Sequence, residues 1–129
     1  NFPDTIVVTD QFLPSQTVAK QVDVVVCHGG QGTVQSSLSS GTPIVGCPMQ
    51  WEQRYNLRMV QLRGAGLFIE RDEWTAKNIL RAINQILEVP SYKTMAASMA
   101  DEMNSLDSRS KAAKAIIGFV RKNAMNERH

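Results

Sequence analysis

Apolar positions along this chain fall into two kinds of run. Short blocks rich in β-branched residues, Thr5–Thr9, Val22–Cys27, Ile44–Cys47 and Gly66–Ile69, read as strands. The unbroken apolarity of Val22–Cys27 predicts burial on both faces, as in a parallel sheet. Between these blocks the apolar spacing is helical. A brief helical turn is expected from Ser15 to Lys20 after Pro14, then helices near Gly32–Ser40 and Trp51–Arg63. Gly41 and Gly64 stand at C-terminal stop positions, with Pro43 beyond the first and Pro48 closing the third strand. A further helix is expected behind Thr75 as N-cap, with Ile79, Leu80, Ile83, Ile86 and Leu87 on one stripe. After Pro90, Tyr92, Met95, Met99, Met103 and Leu106 recur at helical spacing and read as a packing face. A last helix, about Asp107 to Lys122, is expected to bury Ala112, Ala113, Ile116, Ile117 and Val120.

Strands alternating with helices imply βαβ units with right-handed crossovers and a parallel sheet. The expected architecture is α/β, a Rossmann-like parallel sheet with flanking helices. It forms one domain over residues 1–129, with C-terminal helices at about 91–124. Four strands are few for such a sheet, and no opening strand is visible before Thr5, so a fold truncated at its N-terminus is expected. Ligands in such sheets bind beyond the carboxyl ends of the strands.

Composition adds little to this and excludes some classes. The 129 residues, 43% hydrophobic and 20% charged, suit one folded domain. A net charge of +2 gives no case for nucleic acid. The basic residues Arg109, Lys111, Lys114, Arg121, Lys122 and Arg128 face only Glu127 in the same stretch. That pattern reads as a solvated helix face or, less simply, as peripheral contact with anionic lipid or an acidic partner. No apolar run reaches the ~18 residues of a membrane span, and no signal peptide is evident. Cys27 and Cys47 fit buried thiols in a reducing compartment, hence a cytoplasmic location, although neighbouring strands leave a disulfide open.

The chemistry concentrates where Val22–Cys27 runs into His28-Gly29-Gly30-Gln31-Gly32-Thr33. A glycine turn opening a helix exposes backbone N–H groups at the positive end of the helix dipole, a seat for phosphate. The glycines permit positive φ and close approach, while His28 and Thr33 add side-chain donors. The turn lacks the last glycine of the dinucleotide fingerprint and the lysine of a P-loop. Thr33 also fits a helix N-cap, and Cys27 has no identifiable base partner that would make it a nucleophile.

Further elements follow in order: Gly41-Thr42-Pro43, then Pro48-Met49-Gln50-Trp51-Glu52-Gln53, then Asn56. From Phe12 to Asn56 the chain resembles the C-terminal, donor-binding domain of family 1 glycosyltransferases of the GT-B fold. The resemblance implies that His28, Gly29, Gly30, Gly32 and Thr33 hold the diphosphate of a UDP- or dTDP-sugar, without a metal or other cofactor. It implies that Glu52 and Gln53 meet the transferred sugar, that Phe12 stacks on the base and that Leu13 lends its backbone to the base edge. Ser36 stands where many members carry a ribose-binding Glu, and Ser15 where a Gln is common. Trp51 fits either core packing or the cleft wall, and Glu52 and Gln53 also fit plain first-turn helix positions.

No catalytic residue is expected in this chain, because the family's general base lies in the N-terminal acceptor domain. His129, in a charged tail, is a poor substitute. The implied function is the donor half of a hexosyltransferase-type enzyme, inactive until joined to an acceptor domain or a partner chain. A non-catalytic nucleotide- or phosphate-binding module acting through a partner chain is the alternative. A sugar-nucleotide epimerase is a third reading, for which no acid/base pair is identifiable.

Overall fold

The computed structural model describes residues 3–126, arranged as three short parallel strands between helical layers. In chain order these are α1 (Ser15–Ala19), β1 (Val25–Cys27), α2 (Gln31–Ser39), β2 (Ile44–Gly46), α3 (Trp51–Leu62) and β3 (Gly66–Phe68). A 3-10 turn, Arg71–Glu73, precedes α4 (Ala76–Glu88), α5 (Pro90–Ser105) and α6 (Ser108–Asn126). The strand order is β1-β2-β3, with Val25, Val26 and Cys27 in register with Ile44, Val45 and Gly46. Strand order therefore does not reverse among the described strands, and the usable edge is the line of strand carboxyl ends.

The central strand β2 is buried at every position and divides the core. Ile44 joins Val34, Leu38, Leu57, Val60, Ala65 and Ala96 on one face. Val45 joins Ile69, Ala82 and Ile86 on the other, as strand alternation requires. Both predicted glycine stops hold. Gly41 has φ +70° and Gly64 φ +72°. Each closes its helix with the paired bonds of a Schellman motif: Gly41 N to Leu38 O and Thr42 N to Ser37 O, then Gly64 N to Gln61 O and Ala65 N to Val60 O, at 2.9–3.1 Å. Thr75 caps α4 by accepting from Asn78 N at 3.1 Å, and Pro90 occupies the first turn of α5.

Several expectations are corrected. Thr5–Thr9 is exposed chain, not a strand; Val7 is 88% exposed. A lone apolar segment has no ladder to satisfy its backbone, and β1 pairs only with β2. The strand expected over Val22–Cys27 shrinks to β1, an edge strand whose Val26 is exposed, so its apolarity does not mean burial on both faces here. In α5 the buried residues are Ala96 and Ala100, not the methionines. Met99 and Met103 flank the core partly buried, while Met95 and Leu106 are exposed. The small residues win because the backbone of α5 passes close to Gly41, where an added Cβ would lie 3.4 Å from Ala97 Cα. On α4, Leu80 and Leu87 are exposed while Ala82 and Ile86 are buried. The last helix forms but buries none of its predicted residues: Ala112, Ala113, Ile116, Ile117 and Val120 are all exposed.

Cys27 and Cys47 are both free. Cys27 packs on the face shared with Ile44. Its register partner is Gly46, so alternation carries the Cys47 side chain one residue further on to the opposite face. Burial raises both thiols above their ordinary range; a Gly29 backbone hydrogen bond opposes this at Cys27, and the proximity of Cys27 adds to it at Cys47.

Candidate functional site

The glycine turn lies at the carboxyl end of β1 and opens α2. The N-cap is Gly30, with no side-chain cap, so Thr33 is the third helical residue rather than the cap. The first ladder bond runs from Val34 N to Gly30 O at 3.0 Å. The N–H groups of Gln31, Gly32 and Thr33 precede it and point out of the helix end. Of the three glycines in this turn only Gly29 has positive φ, at 85°. A Cβ there would fall 2.5 Å from Leu57 Cγ and 2.9 Å from Gln53 O, so the turn is pressed onto α3. Gly30 and Gly32 have no positive φ and nothing within 4 Å of an added Cβ, so the ground above the helix end is open.

The His28 side chain is exposed and held on two sides. Its Nδ1 lies 2.8 Å from Cys47 O. A carbonyl has no proton to give, so Nδ1–H donates and the tautomer is set. Nε2 is then the ring nitrogen left for a ligand. The imidazole also stacks on Trp74, with centroids 5.8 Å apart and planes inclined by 28°. Trp74 is fixed in turn by Nε1–H donating to Ile69 O at 2.9 Å. Sequence reasoning missed Trp74, since a tryptophan between a turn and an N-cap carries no motif.

The second motif starts α3. Glu52 is exposed in the first turn, and Gln53 Oε1 accepts from Met49 N at 2.8 Å and Gln50 N at 3.2 Å. Gln53 thus stands in the first turn and closes a capping box with Gln50, while its amide NH2 stays available for other partners. Asn56 Nδ2 donates to Gly29 O at 3.0 Å and to Glu52 Oε1 at 3.3 Å. It ties the glycine turn to the acidic residue of α3, a role no sequence reading assigned to it; the signal was its position one helical turn after Glu52. Trp51 is 83% exposed, which excludes core packing. It lies 5.6 Å beneath Arg54 Cζ, and Arg54 grips Glu70 with two nitrogens. That bond holds the Glu70 carboxyl below its ordinary pKa. Trp51, Arg54, Glu70 and Arg71 line a cavity of about 230 Å³.

The remaining predicted residues are spread around α2. Leu13 and Thr33 share a 220 Å³ cavity with Val25 and Ser37. Gly32 and Ser36 line a 610 Å³ groove that reaches Asn104 and Arg109. Phe12 is 92% exposed, so it belongs to no core, and it lines neither cavity. His129 lies outside the described residues.

Parallel βαβ units carrying a glycine turn, with a second polar motif on the next helix, define a Rossmann-like α/β domain. The chain belongs to the family described as "Erythromycin biosynthesis protein CIII-like, C-terminal domain", whose model matches residues 1–119. Similar curated proteins include a "PGL/p-HBAD biosynthesis rhamnosyltransferase" of Mycobacterium bovis (strain BCG / Pasteur 1173P2), 31% identical over 90 residues, 70% of this chain and 20% of that protein. A "4'-demethylrebeccamycin synthase" of Lentzea aerocolonigenes is 29% identical over 111 residues, 86% of this chain and 26% of that protein. Among solved structures, glycosyltransferase SsfS6 of Streptomyces sp. SF2575 matches at 33% identity and TM-score 0.67, over 81% of this chain and 28% of that one. Glycosyltransferase VinC in complex with DTDP shares the fold at TM-score 0.87 and 24% identity, over 95% of this chain and 31% of that one. The chain thus spans 20% to 26% of the two curated relatives' lengths. Among the described residues no helix is long and apolar enough to cross a membrane.

Proposed function

We propose that this chain is the nucleotide-sugar-binding part of a glycosyltransferase that moves a sugar from a UDP- or dTDP-type donor to an acceptor hydroxyl. The donor diphosphate sits on the first turn of α2, against the N–H groups of Gln31, Gly32 and Thr33 and the Thr33 hydroxyl. His28 meets it through Nε2, and Gly29 and Gly30 shape the approach. Glu52 and the free amide of Gln53 take the sugar hydroxyls, which need an acceptor and a donor together. Phe12 offers its exposed ring to the base, Leu13 its backbone to the base edge, and Ser36 faces the ribose side.

The observation that carries this reading is an exposed imidazole, clamped by Cys47 O, beside a helix end whose glycines leave open space. As the glycosidic bond breaks, negative charge grows on the leaving diphosphate. Fixed N–H dipoles and the Nε2–H of a doubly protonated His28 ring oppose that charge, and no metal is required of them. The general base comes from an N-terminal acceptor domain or partner chain, so this chain alone binds donor without turnover.

Calorimetric titration with UDP and with dTDP tests the proposal. Measurable binding is expected, and His28→Ala should weaken it by about tenfold or more, the scale of one charge-assisted hydrogen bond. Binding unchanged in His28→Ala removes that residue from the site, and turnover by the unaided chain means the base has been misplaced.

A further inference from the structure

Two strand-end carbonyls beside the glycine turn are taken by ring N–H groups rather than by backbone. In a parallel ladder a carbonyl facing the neighbouring strand accepts from the residue after its register partner. Cys27 O does so from Cys47 N at 2.8 Å, and Gly46 O from Ile69 N at 2.9 Å. One step on, Cys47 O would accept from Gly29 N. The backbone turns away there at φ +85°, and His28 Nδ1–H donates at 2.8 Å instead. Likewise Ile69 O would accept from residue 48, which is a proline and has no N–H. Trp74 Nε1–H takes that carbonyl at 2.9 Å.

The two rings that close the ladder lie against each other. His28 and Trp74 have centroids 5.8 Å apart and planes inclined by 28°, within the range of aromatic stacks. Trp74 is itself seated, partly buried against the cluster of Val45, Ile69, Ala82 and Ile86. Its segment is secured on both sides, Glu70 by Arg54 and Thr75 as the N-cap of α4. Both restraints on His28 therefore come from outside its own βα unit. The hydrogen bond alone fixes one ring atom and lets the imidazole swing about the Nδ1···O line, because the terminal torsion of histidine is broad. A seated indole removes that freedom and sets where Nε2 points. An aromatic face suits the task better than an aliphatic one. It lies flat against a planar ring and accommodates the charge that ring carries in the complex.

We infer that Trp74 is a positioning residue for donor binding: its indole face holds the His28 ring so that Nε2–H is aimed at the diphosphate before the ligand arrives. The inference rests on the reading of His28 as a diphosphate ligand, and Trp74 acts through His28 without touching the donor. Ordering a loose side chain on binding weakens affinity by about three- to tenfold, and the stack spares the imidazole that ordering.

Proton NMR and calorimetric titration with UDP test the inference. In the natural chain the His28 ring protons are the signals missing from His28→Ala. They should lie upfield of their random-coil positions, shifted by the indole ring current, and show cross-relaxation to the Trp74 indole. Trp74→Leu keeps apolar volume without a face; it should erase the shift and weaken UDP binding by about three- to tenfold. Trp74→Phe keeps a face and should hold UDP affinity within about twofold of the natural chain. Both variants lose the bond to Ile69 O, so the difference between them reports the face alone. In a His28→Ala background Trp74→Leu should add nothing, since its effect passes through the imidazole. Absence of the upfield shift in the natural chain overturns the inference whether or not any variant folds. So does UDP affinity unchanged in Trp74→Leu, equally weak in Trp74→Phe, or lowered by Trp74→Leu as much without His28 as with it. Failure of the underlying reading has its own signature: His28→Ala then leaves UDP binding intact although the natural chain shows the ring-current shift, and the inference falls with it.

Discussion

Gly29 is where sequence and site meet most tightly. Its positive φ and its contact with Leu57 leave no space for a side chain. Gly29→Ala therefore combines left-handed strain with a clash, and should lower unfolding free energy by about 2–4 kcal/mol in urea titration. Gly30→Ala meets only open space and should cost little stability, yet it should weaken nucleotide binding by intruding on the approach. Asn56→Ala strips the Gly29 carbonyl of its side-chain donor and releases Glu52; a loss of about 1–2 kcal/mol is expected, with weaker UDP binding as a second readout. With Nδ1–H committed to Cys47 O, Nε2 donates to phosphate only as a second N–H, so the ring that meets the diphosphate carries both protons.

At the level of elements, what was legible in the sequence is what local chemistry dictates. Glycine at 41 and 64, threonine at 75 and proline at 90 each fix a helix end by themselves, and each end lies where its residue placed it. The site motifs were legible for the same reason, since a turn of glycines at a helix start is a local event. What could not be read depended on partners. Among the described residues the run Thr5–Thr9 has the side chains of a strand but no neighbouring strand, and the apolar residues of α6 pack along no helix or sheet. In α5 the expected methionine seam lost to Ala96 and Ala100 because a close backbone crossing at Gly41 favours small residues, and spacing alone does not reveal that. The Asn56 bond to Gly29 O and the Trp74 stack on His28 were missed because each joins residues far apart in sequence. Leu57 carries the same lesson. It is 1% exposed and braces both the core and the Gly29 turn, so Leu57→Ala should cost about 2–5 kcal/mol and loosen the phosphate seat together.

Across the whole molecule, the two thiols report how β1 and β2 are joined. Cys47 N donates to Cys27 O at 2.8 Å, so the backbones are close while the side chains point to opposite faces of the sheet. Mild oxidation should therefore give no internal disulfide, and mass spectrometry after alkylation should find both thiols. Burial raises both pKa values, so above the ordinary thiol range the folded chain retains protons that the unfolded chain has lost. This contribution to stability is fully present below the unfolded thiol pKa of about 8.5, and it is lost as pH rises from there toward the folded values. Urea midpoints measured at about pH 7 and about pH 9.5 should fall more in the natural chain than in a Cys27→Ala, Cys47→Ala variant, where the thiol linkage is gone. Comparing the two chains cancels the lysines and tyrosines that titrate in the same range. An equal fall in both would show that these thiols ionise as readily folded as unfolded, and that the junction carrying His28 is open to water.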